Sequence, residues 1–168
     1  MRTDSAKALV QMDNEFTSIV KKLSQLYPHN AHLKSDFSMY HCVNENYLEQ
    51  ITCKWDAVSS ILTNKAFAKH KIPYTQVDGG VVPTLAHKFF ETDLPFGLCT
   101  FKDIALLVGL EVPMIDALIR WNQSLIDKEY ITASGRIDGK HACECVLPSR
   151  YGLTAKTIEY GNRGDAKP

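Results

Sequence analysis

Between residues 88 and 98 the chain reads Lys88-Phe89-Phe90-Glu91-Thr92-Asp93-Leu94-Pro95-Phe96-Gly97-Leu98. One ammonium and two carboxylates are interleaved with aromatic rings, just ahead of a predicted helix start. A carboxylate near a helix N-terminus and beside a cation stays ionised, which suits an anchor or an orienting partner for a histidine. Lys88 offers a mobile point charge able to hold a substrate carboxylate. The same charges also make a surface ion-pair cluster in which Asp93 helps to cap the following helix, and spacing alone favours that plainer reading.

Other groups carry less. His141-x-Cys143-x-Cys145 places an imidazole and two thiols close together, but a structural zinc needs four ligands and no C-x-x-C pair accompanies them, so no metal is expected. His29 and His32 share one polar loop and read as solvated surface. Trp121 reads as core. Trp55 does too, with an aromatic wall for a substrate as the other reading.

The elements that must position these groups are mostly helical. Leu9, Met12, Phe16, Ile19, Val20 and Leu23 recur at three- and four-residue steps, predicting a helix over residues 6–26 with Asp4 or Ser5 as its cap. A weaker stripe predicts a second helix over 36–50. Trp55, Val58, Ile61, Leu62 and Phe67 predict a third over 55–67, with Thr52 as a candidate cap. Residues 73–95 hold three prolines and the Gly79-Gly80 pair, which predicts a long irregular loop, of the kind more often functional than idle. A fourth helix is expected over 98–108, stopping at Gly109, and a fifth from Pro113 through Ile126. Beyond Tyr130, Ser134-Gly135 and Asp138-Gly139 predict turns within short hairpin-like or extended pieces. The expected fold is an all-α helical domain of about five helices, with an irregular loop before the fourth and a short irregular C-terminal segment.

The 168 residues are 45% hydrophobic and 23% charged, an ordinary globular profile of a length suiting one domain. Nineteen basic residues balance nineteen acidic ones, which argues against nucleic acid as a partner. The longest apolar run, residues 104–110, is far short of the roughly 20 that span a bilayer. No apolar leader follows Met1, and five cysteines, an odd number, form no compact framework, so a reducing, cytoplasmic location is expected. No two glycines are separated by a single residue, so no G-x-G-x-x-G turn exists to cradle a nucleotide phosphate.

Several runs taken together resemble a known family. Thr63-Asn64-Lys65-Ala66-Phe67, Pro73, Gly79-Gly80, Val82-Pro83, the whole 88–98 loop, Gly109-Leu110-Glu111-Val112-Pro113, Lys128-Glu129-Tyr130-Ile131 and Arg150-Tyr151-Gly152-Leu153 look like the octopine/nopaline (opine) dehydrogenases, in their marine-invertebrate branch. The resemblance covers nearly the whole chain. It implies an all-α substrate domain over residues 1–160 and a Rossmann domain lying outside this chain, while the polar composition of 161–168 predicts a disordered tail.

The reaction implied is the NADH-dependent reductive condensation of an amino acid with pyruvate or another 2-oxo acid. NAD would be bound by the missing domain, and no residue here is expected to bind it. By the same resemblance Asp93 matches the catalytic aspartate of a His–Asp pair, and Lys88 stands where the family has a carboxylate-binding arginine. Glu91-Thr92 inverts the family's Thr-Glu order. The family histidine belongs to an upstream stretch not found here, and His87 does not match it. The chain alone is therefore expected to be inactive. The other readings are a non-catalytic amino-acid or keto-acid binding module, or a protein-interaction module, derived from the same domain.

Overall fold

The stripe from Leu9 to Leu23 folds into a single helix, α1 (Thr3–Leu26), in a computed structural model that describes residues 2–30, 32–33, 38–68 and 73–160. The helix starts three residues before the predicted point. Arg2 occupies the cap position with no side-chain hydrogen bond, and Asp4 lies in the first turn, where its negative charge favourably meets the positive end of the helix dipole. The chain divides into two compact units, Met1–Lys71 and Ile72–Pro168.

In the first unit α1 packs against α3 (Ala57–Thr63) and α2 (Met39–Tyr47), and α2 packs on α3. Ile19, Val43, Ile51 and Ile61 are buried. A 3-10 turn over Leu48–Gln50 follows α2. Ser38 caps α2 through the amide of His41 at 3.0 Å. A second cap arrives from α1: buried Asp13 accepts from the amides of Met39 at 2.7 Å and Tyr40 at 3.3 Å.

The predicted 55–67 helix is in fact two. Asn64 is extended (φ −72°, ψ 112°), bridges to Ile51, and accepts from the amide of Ala66 at 2.9 Å, so α3 ends there and α4 (Lys65–Ala68) begins afresh. The cap of α3 is Asp56, through Ser59 at 2.7 Å, and not Thr52.

In the second unit the proline-rich stretch holds an antiparallel hairpin, β1 (Tyr74–Val77) with β2 (Gly80–Pro83), in the register Tyr74↔Pro83 to Val77↔Gly80. Gly79 takes φ +85°, which the tight turn demands and a side chain resists. A short helix α5 (Lys88–Glu91) leads into a π-helical segment (Asp93–Leu98) and then α6 (Cys99–Leu107). Pro95 has no amide to donate, and the amide of Cys99 reaches back five residues to the carbonyl of Leu94. Gly109, at φ +71°, follows the end of α6, and α7 (Pro113–Leu125) begins on its proline as predicted.

α6 and α7 are tied by Lys102, only 4% exposed, whose Nζ lies 2.9 and 3.0 Å from the two carboxylate oxygens of Asp116. Its neighbour Asp103 accepts from the amide and hydroxyl of Ser149 at 2.8 and 2.7 Å, fixing the 3-10 turn Pro148–Tyr151. Where hairpin-like pieces were expected after Tyr130, the described residues form turns, 3-10 segments and a final helix, α8 (Ala155–Tyr160). Side chains take over from ladder hydrogen bonds in that stretch. Gln123 bonds the backbone of Tyr130 and Ile131, and Arg120 bonds the carbonyls of Thr132 and Ala133. The mostly helical expectation holds, with the hairpin as an addition. Among the described residues no helix is long and apolar enough to cross a membrane. Residues 161–168, expected to form a tail, lie outside those described.

Candidate functional site

The 88–98 loop is built around His87. Its Nδ1 accepts from the amide of Phe89 at 3.4 Å and its ring meets that of Phe89 edge-on, 4.4 Å between centroids. This cap starts α5 and sets Lys88 at its first position, exposed, with Nζ 5.7 Å from the centre of the Phe89 ring. Among the described residues no carboxylate pairs with that ammonium. Thr92 closes the turn, its hydroxyl 2.8 Å from the carbonyl of Lys88 and 3.3 Å from the carboxylate of Asp93. Asp93 is exposed at the head of the π-helical segment, while the following Leu94 and Pro95 are buried and anchor it. Lys88 and Asp93 thus stand on a well-anchored stretch with both charged ends open to solvent and no ion pair between them.

A cavity of about 530 Å³ opens beside this stretch, lined by Leu85, Phe90, Glu91, Leu125, Ile126, Lys128, Tyr130 and Glu144. Glu91 lines it; Lys88 and Asp93 do not. Lys128 Nζ lies 2.6 Å from Glu144, and the Tyr130 hydroxyl donates to the other oxygen of Glu144 at 3.3 Å. The hydrogen bond from Lys128 holds the Glu144 carboxyl below its ordinary value. Burial, reinforced by the charge of Glu144, pushes the Tyr130 hydroxyl up, so it remains a donor throughout the neutral range. Nothing in the sequence spacing reveals this group, because Lys128 and Glu144 lie on different turns and meet only through the 3-10 segment Ala142–Glu144.

The His141–Cys145 run is spent on structure. His141 Nδ1 accepts from the amide of Glu129 at 3.0 Å, Cys143 is exposed, and Cys145 is buried, its thiol lowered from its ordinary value chiefly by the neighbouring thiol of Cys99. Among the described residues no group of three potential ligands gathers to hold a metal. His29 and His32 are exposed. Both tryptophans depart from the core reading: Trp55 is 92% exposed and Trp121 57%. Trp55 precedes the first turn of α3, so the stripe it was assigned to never includes it.

With this geometry described, the chain can be set beside known proteins. A family profile, "NAD/NADP octopine/nopaline dehydrogenase, alpha-helical domain", matches residues 1–126. Octopine dehydrogenase of Pecten maximus is 32% identical over 149 residues, covering 89% of this chain and 37% of that protein. Tauropine dehydrogenase of Arabella iricolor is 32% identical over 149 residues, covering 88% and 37%. A solved structure of octopine dehydrogenase with NADH and L-arginine superposes over 100% of this chain and 41% of its own, with a TM-score of 0.82 at 30% identity. A second, with NADH and agmatine, gives 0.81 over the same shares. The chain therefore spans about two fifths of the length of these relatives.

Proposed function

Because this chain belongs to the octopine/nopaline dehydrogenase family through its α-helical domain, we propose that it forms the substrate-side domain of an NAD-dependent opine dehydrogenase. The reaction is the condensation of an amino acid's amine with the carbonyl of pyruvate or a related 2-oxo acid, loss of water to an imine, and reduction of the imine carbon. One observation carries the reading: all of the chain superposes on an octopine dehydrogenase at a TM-score of 0.82.

The residues present do not fit the nicotinamide cofactor. The glycines among the described residues serve the hairpin, the π-helical segment, helix ends and loop corners, and none forms a phosphate cradle between a strand and a helix. NADH, the hydride source of the family, is accordingly assigned to a nucleotide-binding domain outside these 168 residues.

What the chain contributes is charge at fixed places. Lys88, unpaired and exposed on α5, holds the carboxylate of the 2-oxo acid. Asp93 accepts from a histidine supplied with the nucleotide-binding domain, orients its ring, and stabilises its protonated form while it manages the proton on the substrate. The five thiols, all free, fit a reducing compartment such as the cytoplasm.

The test follows NADH absorbance with pyruvate and a panel of amino acids. The 168-residue chain alone gives no turnover, and supplying the nucleotide-binding domain of a family member, fused or in trans, produces it. Turnover by the chain alone, or none from a folded hybrid, rejects the proposal.

A further inference from the structure

Cys99, the first residue of α6, and Cys145, just after the 3-10 segment Ala142–Glu144, are free thiols that no role assigned above uses. Two ties hold their stretches of backbone side by side. The hydroxyl of Thr100 donates to the carbonyl of Val146 at 2.7 Å, and Asp103 accepts from the amide and hydroxyl of Ser149 at 2.8 and 2.7 Å. Each tie joins residues 46 apart, which is also the separation of the two cysteines, so Cys99 and Cys145 continue the same pairing.

The two thiols are unequal. The neighbouring Cys145 thiol, together with burial, pushes the Cys99 thiol up, while the Cys99 thiol lowers that of Cys145, and the charge of Arg150 lowers it further. Arg150 is fixed through its Nη1, which donates to the carbonyl of Ala142 at 2.6 Å. Cys145 is therefore the one that reaches the nucleophilic thiolate form, with Cys99 as its neutral partner. Cys99 has no exposed surface and Cys145 only 6%, so an oxidant has to be small and meets Cys145 first. That excludes bulky disulfides and leaves hydroperoxides.

We propose that Cys99 and Cys145 form a reversible oxidation site for a small hydroperoxide, closing to a disulfide that fastens the start of α6 to the segment carrying Glu144. With hydrogen peroxide, the Cys145 thiolate attacks one oxygen and the O–O bond breaks. Cys145 becomes a sulfenic acid, and the hydroxide released takes up the proton that Cys145 had lost. The Cys99 sulfur then attacks the sulfenic sulfur. An S–S bond forms as the S–O bond breaks, and the hydroxyl leaves as water with the Cys99 proton. The two thiols have lost two electrons and two protons, and the peroxide has become two waters. A dithiol reductant restores both thiols by exchange. The amide of Cys99 also closes the π-helical segment that begins at Asp93, so the fastened residue supports the 88–98 loop. The site is complete within this chain and stands whether or not the chain takes part in reductive condensation.

Treating the reduced 168-residue protein with one equivalent of hydrogen peroxide, alkylating it in urea and mapping its peptides by mass spectrometry tests this. The chain is expected to lose two hydrogens, with Cys42, Cys53 and Cys143 alkylated and Cys99 joined to Cys145 until dithiothreitol is added. Cys99→Ser, or Cys99→Ala if the buried hydroxyl is not tolerated, should leave a sulfenic acid on Cys145 that dimedone captures. Cys143→Ser should leave the pairing intact. The closed form should melt about 5 °C or more above the reduced one, since a cross-link between residues 46 apart restricts the unfolded chain. Both thiols still free after peroxide, Cys143 found in the disulfide, or a closed form melting at or below the reduced one would each overturn the assignment.

Discussion

Asp13, on the third turn of α1, places its carboxylate 2.7 Å from the amide of Met39, the first residue of α2. A side chain of one helix thus caps the next. The arrangement recurs in the second unit, where Asp103 of α6 caps the turn beginning at Pro148 through Ser149. Both aspartates are buried, and both face amides that the helix start leaves without partners.

Removing the first of these caps should loosen α2 specifically. Asp13→Ala strands two part-buried amides, and we expect it to lower stability by about 1–3 kcal/mol. Urea unfolding measures the loss, and amide exchange should localise it to Met39 and Tyr40. A change under a few tenths of a kcal/mol would mean that water replaces the carboxylate.

The Lys102–Asp116 pair makes a sharper demand. Lys102→Met leaves Asp116, only 20% exposed at its side chain, facing an apolar neighbour, with an expected loss of about 3 kcal/mol. The double variant Lys102→Met/Asp116→Leu should regain most of that loss, because both desolvated charges disappear together. Additive losses in the double-mutant cycle would show that packing, and not charge, is responsible.

Gly139 sits where a Cβ would lie 2.3 Å from the carbonyl oxygen of Glu129, which is backbone and cannot turn aside. Gly139→Ala is expected to cost about 2 kcal/mol or more by displacing the 129–141 contact, including the His141–Glu129 hydrogen bond. Thermal unfolding measures it. Gly97→Ala, with nothing within 4 Å, is the matched control and should be nearly silent.

Two groups around the cavity predict how stability follows pH. The folded-state value of Glu144 lies below its ordinary 4.5, so the stability it contributes is complete above 4.5 and fades as pH falls through the folded value. Tyr130 is shifted upward, so its contribution is complete below its ordinary 10.0 and fades as pH rises beyond that. Glu144→Gln should flatten the acid limb of a stability–pH curve, and Tyr130→Phe the alkaline limb. An acid limb unchanged in Glu144→Gln would locate that dependence in other carboxylates.

The repeating elements were legible in the sequence because a 3.6-residue period writes them directly. α1, α6 and α7 appear close to their predicted limits. The hairpin was also written there, with β-branched residues flanking Asp78-Gly79, but three nearby prolines outweighed it. Pro83 is tolerated because it closes the last register pair of an exposed two-stranded ribbon. Trp55 failed for a local reason: Asp56 caps α3 after it, which leaves the indole ahead of the helix and in solvent.

The buried charges were harder. Asp13 lies four residues after Leu9 and three before Phe16, on the apolar stripe itself, and a charge in that position is a signal of burial with partners. Which partners it has depends on a contact 26 residues away. The cavity shares that difficulty, since Glu91, Lys128 and Glu144 converge only through tertiary structure. The loop from Lys88 to Asp93 was legible as a motif, whereas the openness of its two charges belongs to the fold.

Those two charges give the remaining prediction, measured in a hybrid active with the nucleotide-binding domain of a family member. Both side chains are exposed, so replacing them should leave the folding stability within about 0.5 kcal/mol of the parent and move only kinetics. Lys88→Ala should raise KM for the 2-oxo acid about tenfold while sparing KM for the amino acid, because it removes one charge-assisted contact. Lys88→Arg should retain or improve that KM, since the guanidinium fork can grip both carboxylate oxygens at once. Asp93→Asn should instead lower kcat by about a hundredfold and shift the pH–rate profile to lower pH, because a histidine deprived of its carboxylate partner binds its proton less tightly. Equal effects of Lys88→Ala on both substrates, or an unshifted pH profile in Asp93→Asn, would remove these residues from the reaction and leave them as surface charges of the loop.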